Sequence, residues 1–460
     1  MWIPQELDTE QSIYRAIVDC LAQDIGAGNL KDGARLPTVR YLSDVMGINM
    51  GTVYRAYTLA EQRGLLIKEV GRGSFVRKQS NRDRAASQDQ GAEDGPIDLT
   101  RNEPPFLPLD GLLRQSLKEI SRDSVLDGMM EYGHSQGLSR HREELSSWLG
   151  ASQGFAANPD NLIITGGAQQ GLTIALGALT NPGDTLLVEE LSYPGVRNLA
   201  GFFGLSLMPV ALDEEGIIPE SLDQACQQNK TRVLYCMPHA HNPTTSTMSE
   251  ARREDILAIV HKYGLMVLED DVNTHDNQET YRPLAAMVDQ CIIYISSLSK
   301  IVAPGLRVGM IVAPDDVFAD ILAASQTTSW MAPPLMAELA CLWIRNGTVR
   351  DLVNRRTDMT SKLLATAQEI LSGIPIRFHM ANTHLWLPLP PPWSAREFEE
   401  MAASQGVLVS SSNQFAADPG NTQLGIRICL REMPGSQLEN TLGIIRDLYH
   451  EQPRPKSFIM

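Results

Sequence analysis

No two cysteines in this chain have the spacing of a metal or disulfide motif. Cys20, Cys226, Cys236, Cys291, Cys341 and Cys429 are scattered through 460 residues without a CxxC pair, so neither a zinc site nor a disulfide framework is indicated. Several lie in apolar, strand-like runs, where reduced and buried thiols are expected. Long hydrophobic runs are missing too. Nothing approaches the roughly 20 uninterrupted apolar residues of a membrane span, and Met1-Trp2-Ile3-Pro4-Gln5-Glu6 is not a signal peptide. A cytoplasmic protein without a membrane partner is the expectation. Positive charge is scarce as well: the net charge of −16 argues against a protein coated in nucleic acid. That scarcity is uneven, because residues 1–80 carry ten Lys and Arg against nine Asp and Glu, whereas the remainder carries 29 against 46. Only the first segment can approach a polyanion on favourable terms.

What the sequence does hold is concentrated near residue 300. Cys291-Ile292-Ile293-Tyr294-Ile295 is apolar and β-branched, which predicts a buried strand, and Ser296-Ser297-Leu298-Ser299-Lys300 follows it. Lys300 thus sits just past a strand end, where α/β folds collect their chemistry. Among apolar neighbours its ammonium form is disfavoured, and the neutral amine is a nucleophile toward aldehydes. Ser297, Ser299 and Arg307 in the same loop suit a phosphate. An aldehyde-plus-phosphate cofactor held by a lysine suggests pyridoxal 5'-phosphate; the alternative is a surface lysine in a serine-rich turn.

The chain is long enough for two or three domains. In residues 1–78, Ile13, Ile17, Val18 and Leu21 have the spacing of an amphipathic helix. Thr38 can cap a second helix through Leu42 and Val45, Gly47 supplies a turn, and Asn49 can cap a third helix over residues 50–63 with Val53, Tyr57 and Ala60 facing inward. Two β-like runs, residues 65–70 and 74–77, flank Gly71-Arg72-Gly73. Helices joined by a glycine turn and followed by a hairpin predict a winged helix-turn-helix whose third helix enters the major groove. Arg40, Asn49, Thr52, Tyr54 and Arg55 on the helices, with Arg72 and Lys78 on the wing, are the candidates to face operator DNA. A winged helix used only as an interaction module is the alternative. Residues 79–96 contain no large apolar residue and predict a flexible linker.

From about residue 160 to 315, strand-like and helix-like segments alternate, which predicts a mostly parallel sheet with helices on both faces. Leu162-Ile163-Ile164-Thr165 leads into Gly166-Gly167-Ala168-Gln169, a turn that opens a helix N-terminus toward an anion. The predicted strands at 185–188, 232–237 and 265–268 each end in polar residues, which brings Tyr193, Asn242, Asp270 and Lys300 to one crevice at the carboxyl ends of the strands.

These motifs resemble two known families. Leu36-Pro37-Thr38-Val39-Arg40, Thr52-Val53-Tyr54-Arg55-Ala56-Tyr57 and Gly71-Arg72-Gly73-Ser74-Phe75-Val76 look like the DNA-binding domain of GntR regulators, although Met50-Gly51 stands where that family usually has an arginine. Residues 97–460 resemble fold-type I pyridoxal-phosphate enzymes of the class I aminotransferase group, with a smaller C-terminal α+β subdomain from about residue 335. The resemblance implies an aldimine at Lys300, Asp270 on the ring nitrogen, Asn242 on the ring oxygen and Tyr193 stacked on the ring. Ala168, Gln169, Ser297, Ser299 and Arg307 would hold the phosphate. Tyr132 would reach a neighbouring subunit's phosphate in a homodimer, and Arg427 would grip an amino acid's carboxylate. Val272 and Asn273 stand where a tyrosine is usual, and Thr245 replaces a glycine. The whole chain thus resembles the MocR subfamily of GntR regulators, whose dimers are head-to-tail. That implies a transcription regulator sensing an amine, an amino acid or the cofactor itself. A working aminotransferase with a vestigial DNA module, or a scaffold that binds no cofactor, remain the alternatives.

Overall fold

Helix caps and a glycine turn set the first elements in place. Thr38 Oγ1 accepts from Tyr41 N to start α2 (Val39–Met46), and Gly47, at φ 65°, ends it. Asn49 Oδ1 accepts from Gly51 N at 2.7 Å to start α3 (Met50–Gln62). With α1 (Ile13–Gly26), β1 (Leu66–Glu69) and β2 (Gly73–Val76), these helices close over Ile17, Leu21, Leu42, Val53 and Tyr57. Tyr57 Oη donates to Pro37 O at 2.9 Å, so a large aromatic enters the core with its hydroxyl satisfied. The wing is braced by an isolated bridge, Arg35 to Phe75, that the sequence does not mark. Leu36 N donates to Ser74 O and Val76 N to Ala34 O, because residues 34–36 run antiparallel to β2.

The computed structural model describes residues 2–4, 12–26, 30, 33–62, 65–69, 73–76, 95–122, 126–229, 231–273, 282–288, 290–418 and 424–451. The chain divides into two compact units, residues 1–95 and 96–460. The wing candidates Arg72 and Lys78, and all but the last two linker residues, lie outside the described residues.

The second unit contains, in chain order, β3 (Ile97–Asp98), β4 (Leu162–Thr165), β5 (Thr185–Glu189), β6 (Ser206–Val210), the short pair β7 (Leu212–Asp213) and β8 (Gly216–Ile217), then β9 (Val233–Cys236), β10 (Met266–Asp270), β11 (Ile292–Ser297) and β12 (Gly309–Val312). After these come β13 (Arg377–Phe378), β14 (His384–Pro388), β15 (Val407–Leu408), β16 (Ser410–Ser411) and β17 (Gly425–Cys429). Seven of them form one sheet in the order β4-β12-β11-β10-β9-β5-β6. All its pairings are parallel except those of β12, which runs antiparallel to β11 and β4.

Side-chain alternation along these strands feeds two cores. Ile163, Val188, Leu268 and Ile293 point to one face, and Ile164, Leu187, Val267 and Ile292 to the other. Helices therefore cover both faces. A third core gathers around the smaller sheet β13-β14-β17-β16, with Leu385, Leu387, Ile426 and Ile428 pointing into it. Beyond residue 334 two consecutive helices are shared between the cores. Helix Pro334–Arg345 buries Leu339, Cys341 and Trp343 in the large core, and the small core begins within helix Thr348–Ile370, at Leu363. Trp343 Nε1 donates to Ser116 Oγ at 2.7 Å, which satisfies its polar edge inside the large core. Among the described residues no helix is long and apolar enough to cross a membrane.

Candidate functional site

Three successive carboxylates at the end of β10 are turned to three different tasks by the pleat and by the strand end. Glu269 accepts from Leu284 N and Ala285 N, fixing the turn beyond the sheet edge. Asp271 accepts from Tyr294 Oη at 2.8 Å. Asp270, 3% exposed, accepts from Tyr235 Oη at 2.7 Å on Oδ2, while its Oδ1 is buried without a partner. Register explains the Tyr235 contact: β9 and β10 pair Tyr235 with Leu268, so Asp270 lies two residues along on the same face. Burial pushes the Asp270 carboxyl up to about 7, helped by Asp271 and Glu189 and opposed by the Tyr235 hydrogen bond and by Lys300. An unpaired buried carboxylate is costly, so this oxygen is set to meet a cation or an N–H donor.

Lys300 stands three residues past β11, and its Nζ donates to Asn102 O. Burial is the largest influence on its amine and pushes it down to about 8. Arg356 secures the same turn, donating to Lys300 O at 2.9 Å. The cavity above is lined by Asn102, Asn273, Lys300, Arg356, Asn382 and Thr383, among others.

Arg427 arrives from β17 in the small sheet and is 7% exposed. Its Nη1 donates to Asn242 Oδ1 at 2.8 Å, its Nη2 donates to Thr100 O at 2.5 Å, and the guanidinium lies over the Phe415 ring at 4.7 Å. Nε has no partner, which leaves one edge of the fork open to a carboxylate. With Oδ1 taken, Asn242 retains an amide N–H to offer. Tyr193 begins helix Pro194–Phe203, and burial, then the Asp270 charge, raise its phenol. Gly195 is required beside it, because a Cβ there would strike the Tyr193 ring and Gln169 Oε1.

At the other end of the crevice, Gly167 at φ 103° starts helix Ala168–Leu179, and a Cβ on it would lie 2.5 Å from Arg307 Nη2. Arg307 donates to Gly166 O at 2.8 Å and to Ser299 Oγ at 3.4 Å, and the Ser297 and Ser299 hydroxyls are 2.9 Å apart. A helix N-terminus, two hydroxyls and a guanidinium thus converge on one spot, the donor set of an anion site. Gln169 Oε1 is buried there without a partner.

Tyr132 is 89% exposed and meets Trp330 edge-on at 6.3 Å. In the first unit, Arg40, Asn49, Tyr54 and Arg55 are exposed and Thr52 is half-buried; Asn49 is also occupied as the cap of α3. Sequence reasoning missed Tyr235, Asn102 and Arg356. Tyr235 reads there as one more apolar strand residue, and the other two have no motif around them. Asn273, noted as standing in place of a tyrosine, donates to Ala240 O at 3.0 Å and so is committed to the loop before Asn242.

Residues 94–445 match the family model described as aminotransferase class I and II, and residues 13–76 match that of bacterial regulatory proteins, gntR family. The chain is 30% identical over 448 residues to the uncharacterized HTH-type transcriptional regulator YdeF of Bacillus subtilis (strain 168), an overlap of 97% of this chain and 96% of that protein. To the mitochondrial kynurenine/alpha-aminoadipate aminotransferase of Mus musculus it is 29% identical over 331 residues, covering 64% of this chain and 77% of the mouse protein. Among solved structures, the Pyrococcus horikoshii kynurenine aminotransferase in complex with PMP matches with a TM-score of 0.71 at 22% identity, over 85% of this chain and 98% of that one.

Proposed function

The chain belongs to the class I and II aminotransferase family and carries a GntR-family module ahead of it, the architecture of MocR regulators; from that premise we propose a transcription regulator that binds operator DNA and senses an amine or amino acid at a pyridoxal 5'-phosphate held by Lys300. The observation that carries this reading is the meeting of Lys300, Asp270, Asn242 and Arg427 at one buried crevice, with an anion site at its far end.

The residues present fit the cofactor. Asp270 Oδ1, buried and unpartnered, suits a protonated ring nitrogen, and the donors around Ala168, Gln169, Ser297, Ser299 and Arg307 suit a phosphate. When bound, pyridoxal phosphate supplies an aldehyde for amines and a ring that draws electron density from them. Lys300, lowered to about 8, keeps part of its amine neutral and nucleophilic near neutral pH. Asp270 would keep the ring nitrogen's proton in place, Asn242 would offer its N–H to the ring oxygen, and Tyr193 would cover the ring face. Arg427 receives the carboxylate of an incoming amino acid. Tyr132, exposed in one chain, completes the phosphate site of a partner in a head-to-tail homodimer, and the whole works in the cytoplasm.

A working transaminase is the second reading, favoured by the Arg427–Asn242 pair. Turnover of an amino acid with a keto acid at about one per second or faster would establish it. The regulator is tested by absorbance and operator-binding titrations of the full chain with a panel of amino acids, on wild type and Lys300→Ala. Expected are a cofactor band lost in the variant and an amino-acid-dependent change in DNA affinity in the wild type. Identical DNA affinity with and without cofactor and amino acids refutes sensing.

A further inference from the structure

One group beside the crevice has no task in the foregoing. β14 and β17 pair His384 with Cys429 and Trp386 with Arg427. Directly opposed residues of an antiparallel pair point to the same side, so His384 shares the face of Arg427, one pair along. The residues between them on each strand, Leu385 and Ile428 among them, point the other way into the small core.

Segment 382–384 also runs against segment 240–242. Asn382 Nδ2 donates to Ala240 O at 2.8 Å, and Thr383, next to His384, lines the cavity over Lys300. His384 therefore lies between the loop that carries Asn242 and the guanidinium of Arg427. It is fully buried, and no hydrogen bond of ordinary geometry reaches either ring nitrogen, although the main chain of His241 lies close by. A buried imidazole left in that condition is an uncommon and costly arrangement unless a ligand completes it.

The surroundings specify what would complete it. Burial first, then Arg427 and Lys300, push the His384 imidazole well below its ordinary range, so the ring is neutral. A neutral ring has one N–H and one lone pair. The main chain of His241 is the neighbour that favours the N–H, although the His241 carbonyl already accepts from Thr245 N at 2.7 Å. What is left is an acceptor nitrogen. Arg427 Nη1 and Nη2 donate to Asn242 and Thr100, and Lys300 Nζ donates to Asn102, so the edge still open on these two cations is Arg427 Nε, the place of the effector's carboxylate.

We propose that His384 selects the effector: its free ring nitrogen accepts a hydrogen bond from a hydroxyl or amide N–H on the side chain of an α-amino acid whose carboxylate lies on Arg427. This rests on the reading of the crevice as an amino-acid site. An apolar side chain would leave the lone pair buried and unmet, and a carboxylate side chain would set lone pair against lone pair. Threonine is thus separated from valine, and asparagine from both leucine and aspartate, without any change of size.

The test is an absorbance titration of the cofactor-loaded full chain with those near-isosteric amino acids, followed by operator binding at saturation. Wild type should bind threonine and asparagine at least tenfold more tightly than valine, leucine and aspartate. His384→Phe should abolish that ratio while keeping the cofactor band, and His384→Gln, which retains an acceptor oxygen, should restore part of it. The retained band shows that the variants have folded, and the glutamine variant decides the matter if the phenylalanine variant does not. An unchanged ratio in both variants, or a wild-type preference for aspartate, overturns the role of His384 and leaves the sensing reading standing. A wild type that shows the cofactor band but responds to no amino acid overturns both.

Discussion

In the first unit the residues proposed to meet DNA are on the outside: Arg40, Tyr54 and Arg55 are exposed, on a framework whose own core is a single small cluster. In the second unit the corresponding residues are inside. Asp270, Asn242 and Arg427 are buried between a seven-stranded and a four-stranded sheet, and burial moves Asp270 up and Lys300 down. The difference follows from the partners. A nucleic acid is a large polyanion met by flexible, solvated cations, and its binding is graded and salt-dependent. A small molecule must exchange all its water at once for prearranged donors and acceptors, so its site holds unmet groups in advance. Changes in the second unit should therefore remove specific chemistry, whereas changes in the first should scale an affinity.

The sharpest version of that contrast is a pH profile. With Lys300 at about 8, the neutral amine grows tenfold per pH unit below that value and levels off above it. The rate at which cofactor-free protein takes up pyridoxal phosphate should rise about fiftyfold from pH 6 to pH 8, gain at most about another factor of two above that, and then flatten. A rise continuing to pH 10 would mean that Lys300 behaves as a solvated lysine and that the crevice does not desolvate it. Asp270 adds a second pH dependence in the cofactor-free state. Its folded value near 7 exceeds the ordinary carboxylate value, so folding takes up a proton. The stability it contributes is complete below about pH 4 and is lost as pH rises through about 7. Thermal unfolding of cofactor-free wild type and Asp270→Asn across that window should diverge below pH 7, with the wild type gaining.

Next in size is Arg427→Ala. Losing a charge-assisted hydrogen-bond pair to a carboxylate costs about 1.5–3 kcal/mol, or on the order of ten- to a hundredfold in affinity. Amino-acid titration should show that loss, whereas an amine with no carboxylate should bind both proteins alike. Equal losses for the two ligands would place Arg427 in a structural role, holding Asn242 and Thr100.

How much of this is written in the chain differs between the units for a related reason. The first unit is marked by local signals, the caps Thr38 and Asn49 and the turn at Gly47, and each takes the expected place. The bridge from residues 34–36 to its wing pairs distant segments and has no local mark. In the second unit the strand ends carrying Asp270, Asn242 and Lys300 are legible because parallel strands direct their carboxyl ends to one side. Tyr235 is not legible as a partner of Asp270, because that contact depends on the register of β9 against β10. His384 is hidden in the same way: in sequence it is one polar residue ahead of Leu385-Trp386-Leu387, and only the pairing of β14 with β17 puts it beside Arg427. Which core each helix after residue 334 covers is not legible either, since a helix's own sequence does not say which of two cores it meets.

Arg55→Ala probes the outer surface. As an exposed residue on the helix expected to enter the groove, it should cost about tenfold in operator affinity and leave the cofactor spectrum and the amino-acid response intact. If the contact is to phosphate, the slope of affinity against salt falls by about one; if it is to a base, one operator position loses its preference instead. A spectrum that changes with Arg55→Ala would blur the separation between the units.

The smallest expected effect tests whether the first unit's stability is as local as its sequence signals. Thr38 Oγ1 accepts from Tyr41 N at 3.2 Å, on a residue that is itself exposed, so Thr38→Ala removes a cap and creates no cavity. Such losses cost about 1 kcal/mol. Because α2 contributes Leu42 to the first unit's core and is tied to α3 through Tyr57 and Pro37, the loss should spread over residues 33–62 and stop there. Amide exchange in the full chain should therefore quicken about fivefold across that stretch, the factor corresponding to 1 kcal/mol, with exchange in the seven-stranded sheet unchanged. Faster exchange in β10 or β11 as well would show that the two units unfold as one, and the contrast between an outer, graded site and an inner, prearranged one would then lack separate foundations.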